Sequence, residues 1–241
     1  MQLRMEFGAY PCGGGRIAPM TCAEALAQLE SLGSEKVREQ NRRHGVGDNQ
    51  FGVKMGDIRG IAKEIKSDQA LGLELWATGN FEARQLAALI MKPKQLSQDE
   101  LEQMVMSLDS PHGADYFISY VVKAHPSKEL CREKWLQGDH PMLARAAWSL
   151  TTERVCKDAT GLDLGALLDR IEREMNVVPE VTRWTMNFCL GEIGINHAAF
   201  RERAIQIGEK CGAYRDYPTS KGCVSPFVPI WVPEMVSRQS S

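Results

Sequence analysis

Residues 81–108 read FEARQLAALIMKPKQLSQDELEQMVMSL. Ala83, Leu86, Ala87 and Ile90 fall at positions i, i+3, i+4 and i+7, and Leu101, Met104, Val105 and Leu108 repeat that spacing. This period lays one apolar stripe along each of two helices. Pro93 to Ser97 break the pattern between them, as proline cannot continue a helix. The same template recurs at Ile58/Ile61/Ala62/Ile65, Leu143/Ala146/Ala147/Leu150 and Leu164/Leu167/Leu168/Ile171. Further breaks fall at Gly79-Asn80, Ser110-Pro111, His125-Pro126, Gly138 to Pro141, Gly161, Pro179 and Gly194 to Asn196. The helices between them are of ordinary length, about 10 to 15 residues. No stretch alternates as a half-buried strand does. The chain reads as all-α.

The predicted helices come in pairs: 56–66 with 68–78, 81–92 with 98–108, 113–124 with 128–137, 141–153 with 163–176, and 180–194 with 197–211. A unit of about 30 to 40 residues is the length of a helix-pair solenoid repeat. Arg84, Arg145 and Arg183 each sit early in the first helix of a pair, and Asp115 takes the comparable slot in the 113–124 pair. Stacking would align these side chains along one concave surface. An ordinary helical bundle with unrelated surface arginines is the alternative. Residues 1–20, with Gly13 to Gly15 and no periodicity, read as a flexible extension too interrupted for a signal peptide. Thr21-Cys22-Ala23-Glu24 fits a capping box, so the repeat domain is expected over 21–211. Pro218, Pro226, Pro229 and Pro233 interrupt the tail from 212 to 241, which also carries Phe227, Ile230 and Trp231. It is expected to pack as an irregular cap on the last repeat.

Composition narrows the function. The 241 residues are 43% hydrophobic and 25% charged, typical of a folded globular chain. A net charge of −2 excludes a bulk polycation, so nucleic acid would have to meet a local basic face. No uncharged apolar run approaches the length of a membrane span. Seven cysteines without a CxxC pair point to reduced thiols and a cytoplasmic protein. The five histidines are equally scattered, and no zinc spacing, Walker loop, dinucleotide fingerprint or GxSxG elbow occurs. No metal or cofactor is expected.

Four runs carry a resemblance: FGVKMGDIRGIAKEIK (51–66), ELWATGNFEARQLAALIMKP (74–93), LARAAWSLTTERV (143–155) and TMNFCLGEIGINH (185–197). Together they resemble the DNA alkylation repair proteins of the AlkD type, over roughly 50–211. The tail run SKGCVSPFVPIW (220–231) resembles one branch of that family. The resemblance implies a HEAT-like solenoid, acting as a monomer on double-stranded DNA, that excises alkylated bases without a deep base pocket. The family's acidic residue falls on Asp115 and its arginine on Arg145. Its tryptophan four residues ahead of the acid falls on Pro111, which has no aromatic ring. A second family tryptophan falls on Phe188, which keeps an aromatic wall for a cationic base.

The chemistry asks little of the protein. A base alkylated on a ring nitrogen is already cationic and leaves as a neutral molecule, whereas the sugar develops oxocarbenium character. One ionised carboxylate, Asp115, would stabilise that charge, and Arg84, Arg145 and Arg183 would hold phosphates. Plainer readings stand beside these. Asp115 and Arg145 would equally serve as a polar rung between repeats, and Trp76, Trp135, Trp148 and Trp184 as core. His112 reads as a solvated turn histidine. Three functions remain open: an alkylpurine DNA glycosylase, a DNA-binding relative without excision, and a protein-binding scaffold.

Overall fold

The computed structural model describes residues 19–239. The extension expected over residues 1–20 thus lies, apart from its last two residues, outside the described part. Helix α1 (Cys22–Ser31) opens on the expected capping box: the Thr21 hydroxyl accepts from the Glu24 amide, and the Glu24 carboxylate accepts from the Thr21 amide at 2.8 Å. There follow α2 (Glu35–Arg43), α3 (Met55–Ile65), α4 (Gln69–Ala77), α5 (Phe81–Ile90), α6 (Gln98–Met106) and α7 (Pro111–Phe117). The second half holds α8 (Lys128–Leu136), α9 (Pro141–Lys157), α10 (Leu164–Glu174), α11 (Glu180–Asn196) and α12 (Arg201–Cys211). No strand occurs among the described residues. Asp68, Asn80, Ser97, Ser110 and Asp163 each accept a first-turn amide and so fix where a helix starts.

Helices α3, α5, α7, α9 and α11 pack side by side in one layer. Helices α4, α8 and α12 lie against α5, α9 and α11 as a second layer, and α10 bridges α11 and α12. That is a two-layer helix-pair solenoid, in which each repeat buries its stripe against its neighbours. Trp135 and Trp148, each 1% exposed, and Trp76 sit in the core. Helix α7 runs directly into one π turn over Ile118–Val122, where the Lys123 amide reaches the Ile118 carbonyl at 2.9 Å. The sequence pattern does not reveal that turn, a feature that often accompanies functional sites.

A buried carboxylate organises the first half. Glu82 on α5 has no exposed surface. It accepts from the backbone amides of Phe51, Gly52 and Val53 at 2.8, 2.9 and 3.2 Å, and from the Asn41 side-chain amide at 3.4 Å. The loop between α2 and α3 is thereby folded onto α5. Gly52 has φ +78°, and a Cβ there would lie 2.4 Å from the Ser34 carbonyl oxygen, so only glycine fits.

The tail departs from the irregular cap expected of it. Residues 212–227 are largely irregular, but Val228–Gln239 forms a further helix, α13, despite Pro233 in its interior. Burial outweighs the proline: Val228 and Val232 are fully buried against α11 and α12. Small residues receive it. A Cβ on Gly191 would sit 2.3 Å from the Trp231 ring, and one on Gly208 2.8 Å from Val228. No described helix is long and apolar enough to cross a membrane.

Glu82→Gln keeps one acceptor oxygen but turns the other into an amide donor, which then faces at least one of the three backbone N–H groups. We expect it to lower the unfolding free energy by about 2–4 kcal/mol. Urea denaturation reads this as a fall in midpoint at unchanged slope. An unchanged midpoint would show that the loop holds without the carboxylate.

Candidate functional site

The first turns of α7, α9 and α11 meet at one groove, and a single arginine joins them. Arg145 on α9 is 2% exposed. Its Nε donates to Asp115 Oδ1 at 2.9 Å and its Nη2 to Oδ2 at 2.7 Å, while Nη1 donates to the Val181 carbonyl on α11 at 2.6 Å. The paired geometry is the bidentate fork that suits guanidinium to carboxylate. Asp115, by contrast, keeps half of its side chain exposed to the groove. The phosphate-anchor role expected for Arg145 does not fit this burial: its donors are committed inside the protein. It is the rung between neighbouring repeats, and it holds Asp115 in place.

Arg84 and Arg183 also have other work. Arg84 Nε donates to the Trp76 carbonyl at 3.4 Å and Nη1 to the Ser107 carbonyl at 2.9 Å, with the guanidinium over the Trp76 ring. Arg183 Nε donates to the Met175 carbonyl at 3.0 Å and Nη2 to the Val178 carbonyl at 3.2 Å. Each arginine therefore reaches back eight residues, from the start of one helix to a carbonyl at the end of the helix before. Cations favour those carbonyl-rich ends. Arg201 does the same to Gly194 and Ile195 at the end of α11. The repeating arginine is thus a turn staple, and Arg183 Nη1 also pairs with Glu180 at 3.3 Å.

The groove has a volume of about 290 Å³ with Asp115 and Arg145 at its base. His44, Pro111 and His112 line the α7 side; Glu180, Val181, Trp184 and Tyr217 line the α11 side. Phe188, expected as the aromatic wall, lies one turn further along α11. Its ring packs on Trp184 at 5.3 Å and on Trp231 of the tail helix at 4.8 Å, away from the acid. Trp184 provides the groove's ring instead. The sequence reads Trp184 either as core or, like Tyr116 and Trp148, as a substitute wall where it faces the groove; Val181, Trp184 and Phe188 form the partly exposed stripe of α11, and Trp184 lines the groove.

His112 is exposed, as expected of a solvated residue, but it sits in the first turn of α7 and not in a loop. Its ring stacks on His44 with centroids 6.1 Å apart and lies 5.7 Å from Phe81. Desolvation, then repulsion from His44, lower its pKa, and Asp115 opposes them. His112 also lines a second, separate depression with Gln40, Asn41, Lys54 and Met55. One turn beyond Asp115, Tyr120 stacks on Tyr116 at 4.6 Å and accepts from Arg59 Nη2 at 3.2 Å. Exposed cations therefore flank the α3 side. No group of three His, Cys, Asp or Glu side chains among the described residues is arranged to hold a metal ion. Burial and Glu192 push the Cys156 thiol up to about 12, the opposite of an activated nucleophile.

A model of the family described as DNA alkylation repair enzyme matches residues 25–218. The chain belongs to that family. One solved structure is described as "A new family of proteins related to the HEAT-like repeat DNA glycosylases with affinity for branched DNA structures". It is similar to this chain with a TM-score of 0.76 and 23% identity, over 91% of this chain and 95% of that one. A likeness at that identity bears on the fold, and the solenoid is HEAT-like. No curated protein matches.

His112 is expected to titrate below the ordinary histidine value of 6.5. The folded state then favours the neutral ring, so its contribution to stability is complete above pH 6.5 and is lost as the pH falls through the folded value. An NMR titration of the ring protons checks this, and His44→Ala should move the midpoint upward by removing the repulsion. A midpoint at or above 6.5 in the wild type would contradict the packing around the ring.

Proposed function

We propose that this protein binds double-stranded DNA along the groove between α7 and α11 and excises cationic N-alkylated purines there. The observation that carries the reading is the Asp115 carboxylate: half exposed, gripped by Arg145, and in one groove with the Trp184 ring. The reaction is hydrolysis of the N-glycosidic bond. The bond electrons leave with the cationic base, which departs neutral; the sugar becomes an oxocarbenium ion; water adds to C1′ and its proton passes to solvent. No general acid is needed. Asp115 stabilises the sugar cation and accepts a hydrogen bond from the attacking water. Arg145 fixes the orientation of that carboxylate. Trp184 favours a cationic base over a neutral one, and Lys54 and Arg59 supply charge for phosphates on the α3 side.

A second reading has its own observation. Pro111 stands where the family resemblance places a tryptophan, so the α7 wall offers His112 and His44 in place of an indole. A DNA-binding relative that holds distorted or branched DNA without excision fits that change.

Release of free methylated purines from methylated duplex DNA separates the two. On the first reading the wild type releases base, and Asp115→Asn lowers the rate about 100-fold or more while duplex binding persists. A wild type that releases nothing at high enzyme concentration, yet binds a branched duplex more tightly than a linear one, selects the second. Binding that does not weaken steeply with salt would remove both, because phosphate contacts release counterions.

A further inference from the structure

Tyr217 belongs to none of the roles assigned so far. It lies in the tail, beyond α12, yet its ring lines the same groove as Asp115 and Trp184. It is 45% exposed, among the few large apolar side chains left at the surface. Its ring lies 5.4 Å from Trp184 at an interplanar angle of 47°, so the two form a corner.

The turn that carries Tyr217 is held on both flanks. Gly212 ends α12 with φ +65°, and Tyr214 takes φ +62°, a left-handed conformation unusual for a tyrosine. Such a residue persists only where its surroundings over-determine it. Here they do. Tyr214 Oη donates to Glu180 Oε1 at 2.7 Å, and its ring meets Trp184 edge-on at 5.1 Å and Tyr217 at 5.9 Å. Burial and the Glu180 carboxylate raise the Tyr214 pKa, which keeps its hydroxyl a donor. On the other flank, Arg215 stacks over Phe227 at 4.5 Å and pairs with Glu209 at 2.7 Å. A bent, pinned turn therefore presents an exposed ring at a fixed place beside the acid.

We propose that Tyr217 is a specificity-determining residue: with Trp184 it forms the two-ring corner that receives a cationic purine next to Asp115. The inference rests on the excision reading above. The opposite wall offers the imidazoles of His44 and His112 but no indole at Pro111, and the tail supplies a second electron-rich ring from the α11 side. A planar cation laid on Trp184 then meets a second electron-rich face, whereas a neutral purine gains only stacking. Tyr217 thus acts on discrimination more than on overall DNA affinity. Tyr214 and Glu180 are positioning residues for that ring.

The test compares binding of two duplexes, one carrying a single 2′-fluoro-N7-methylguanosine, whose fluorine blocks departure of the base, the other its unmethylated twin. Wild type, Tyr217→Ala and Tyr217→Phe are measured by fluorescence anisotropy, with melting temperatures as the check on folding. We expect the wild type to prefer the methylated duplex. Tyr217→Ala should lose about fivefold or more of that preference at unchanged affinity for the twin, and Tyr217→Phe should retain it. If Tyr217→Ala keeps the full preference, the role of Tyr217 is overturned and the excision reading stands. If the wild type shows no preference, the excision reading fails and the inference with it.

Discussion

Arg145 carries its charge where almost no water reaches it, and the groove takes its shape from how that charge is satisfied. A buried guanidinium left unpaired would be destabilised by several kcal/mol. The Asp115 carboxylate and the Val181 carbonyl supply what water cannot, and they come from two different helices. Helices α7 and α11 are therefore fixed relative to α9 by electrostatics as well as by apolar packing. The same pairing decides what Asp115 is able to do. Its oxygens are already oriented by two charge-assisted bonds, which suits a fixed negative charge better than a group that must give and take a proton. The proposed reaction requires that kind of charge, because the departing base is already activated by its own cation.

Glu82 is the counterpart at the other end of the solenoid. It too is a buried charged group on an inner-layer helix, and it too is satisfied largely by backbone, here three consecutive amides of the α2–α3 loop. Arg84, Arg183 and Arg201 extend the principle to carbonyls at helix ends. In this protein, charged side chains early in helices of both layers tie the loops and neighbouring helices together. The solenoid is held by its apolar stripes, while its turns are held by these ions.

That division explains what was legible in the sequence. Apolar periodicity marked α5 and α6 to within about two residues, because a stripe facing a core leaves a period in the chain. The spacing of the arginines was equally visible, but its meaning was not. A staple to a carbonyl and a ligand for a phosphate call for the same residue type, and a sequence does not show which oxygen lies nearby. Trp184 and Phe188 pose the same problem one turn apart on α11. Their assignment depends on Trp231, which comes from a helix that Pro229 and Pro233 argue against locally. Only the receiving surface at Gly191, Gly194 and Gly208 makes that helix stable, and such a surface exists only after folding.

The tail is therefore more than a cover for the last repeat. By docking on the small residues of α11 and α12 it takes Phe188 out of the groove, and the turn before it brings Tyr217 in. The α11 wall becomes aromatic through a segment outside the repeats. On the opposite side the wall is His44 and His112, with Lys54 in the separate depression beside it, so the surface runs from cationic and imidazole groups to aromatic faces across one anchored carboxylate. A nucleic-acid strand matches that gradient when its phosphates lie toward α3 and its base toward α11. On the proposed function, that orientation would bring the sugar, which joins base and phosphate, over Asp115.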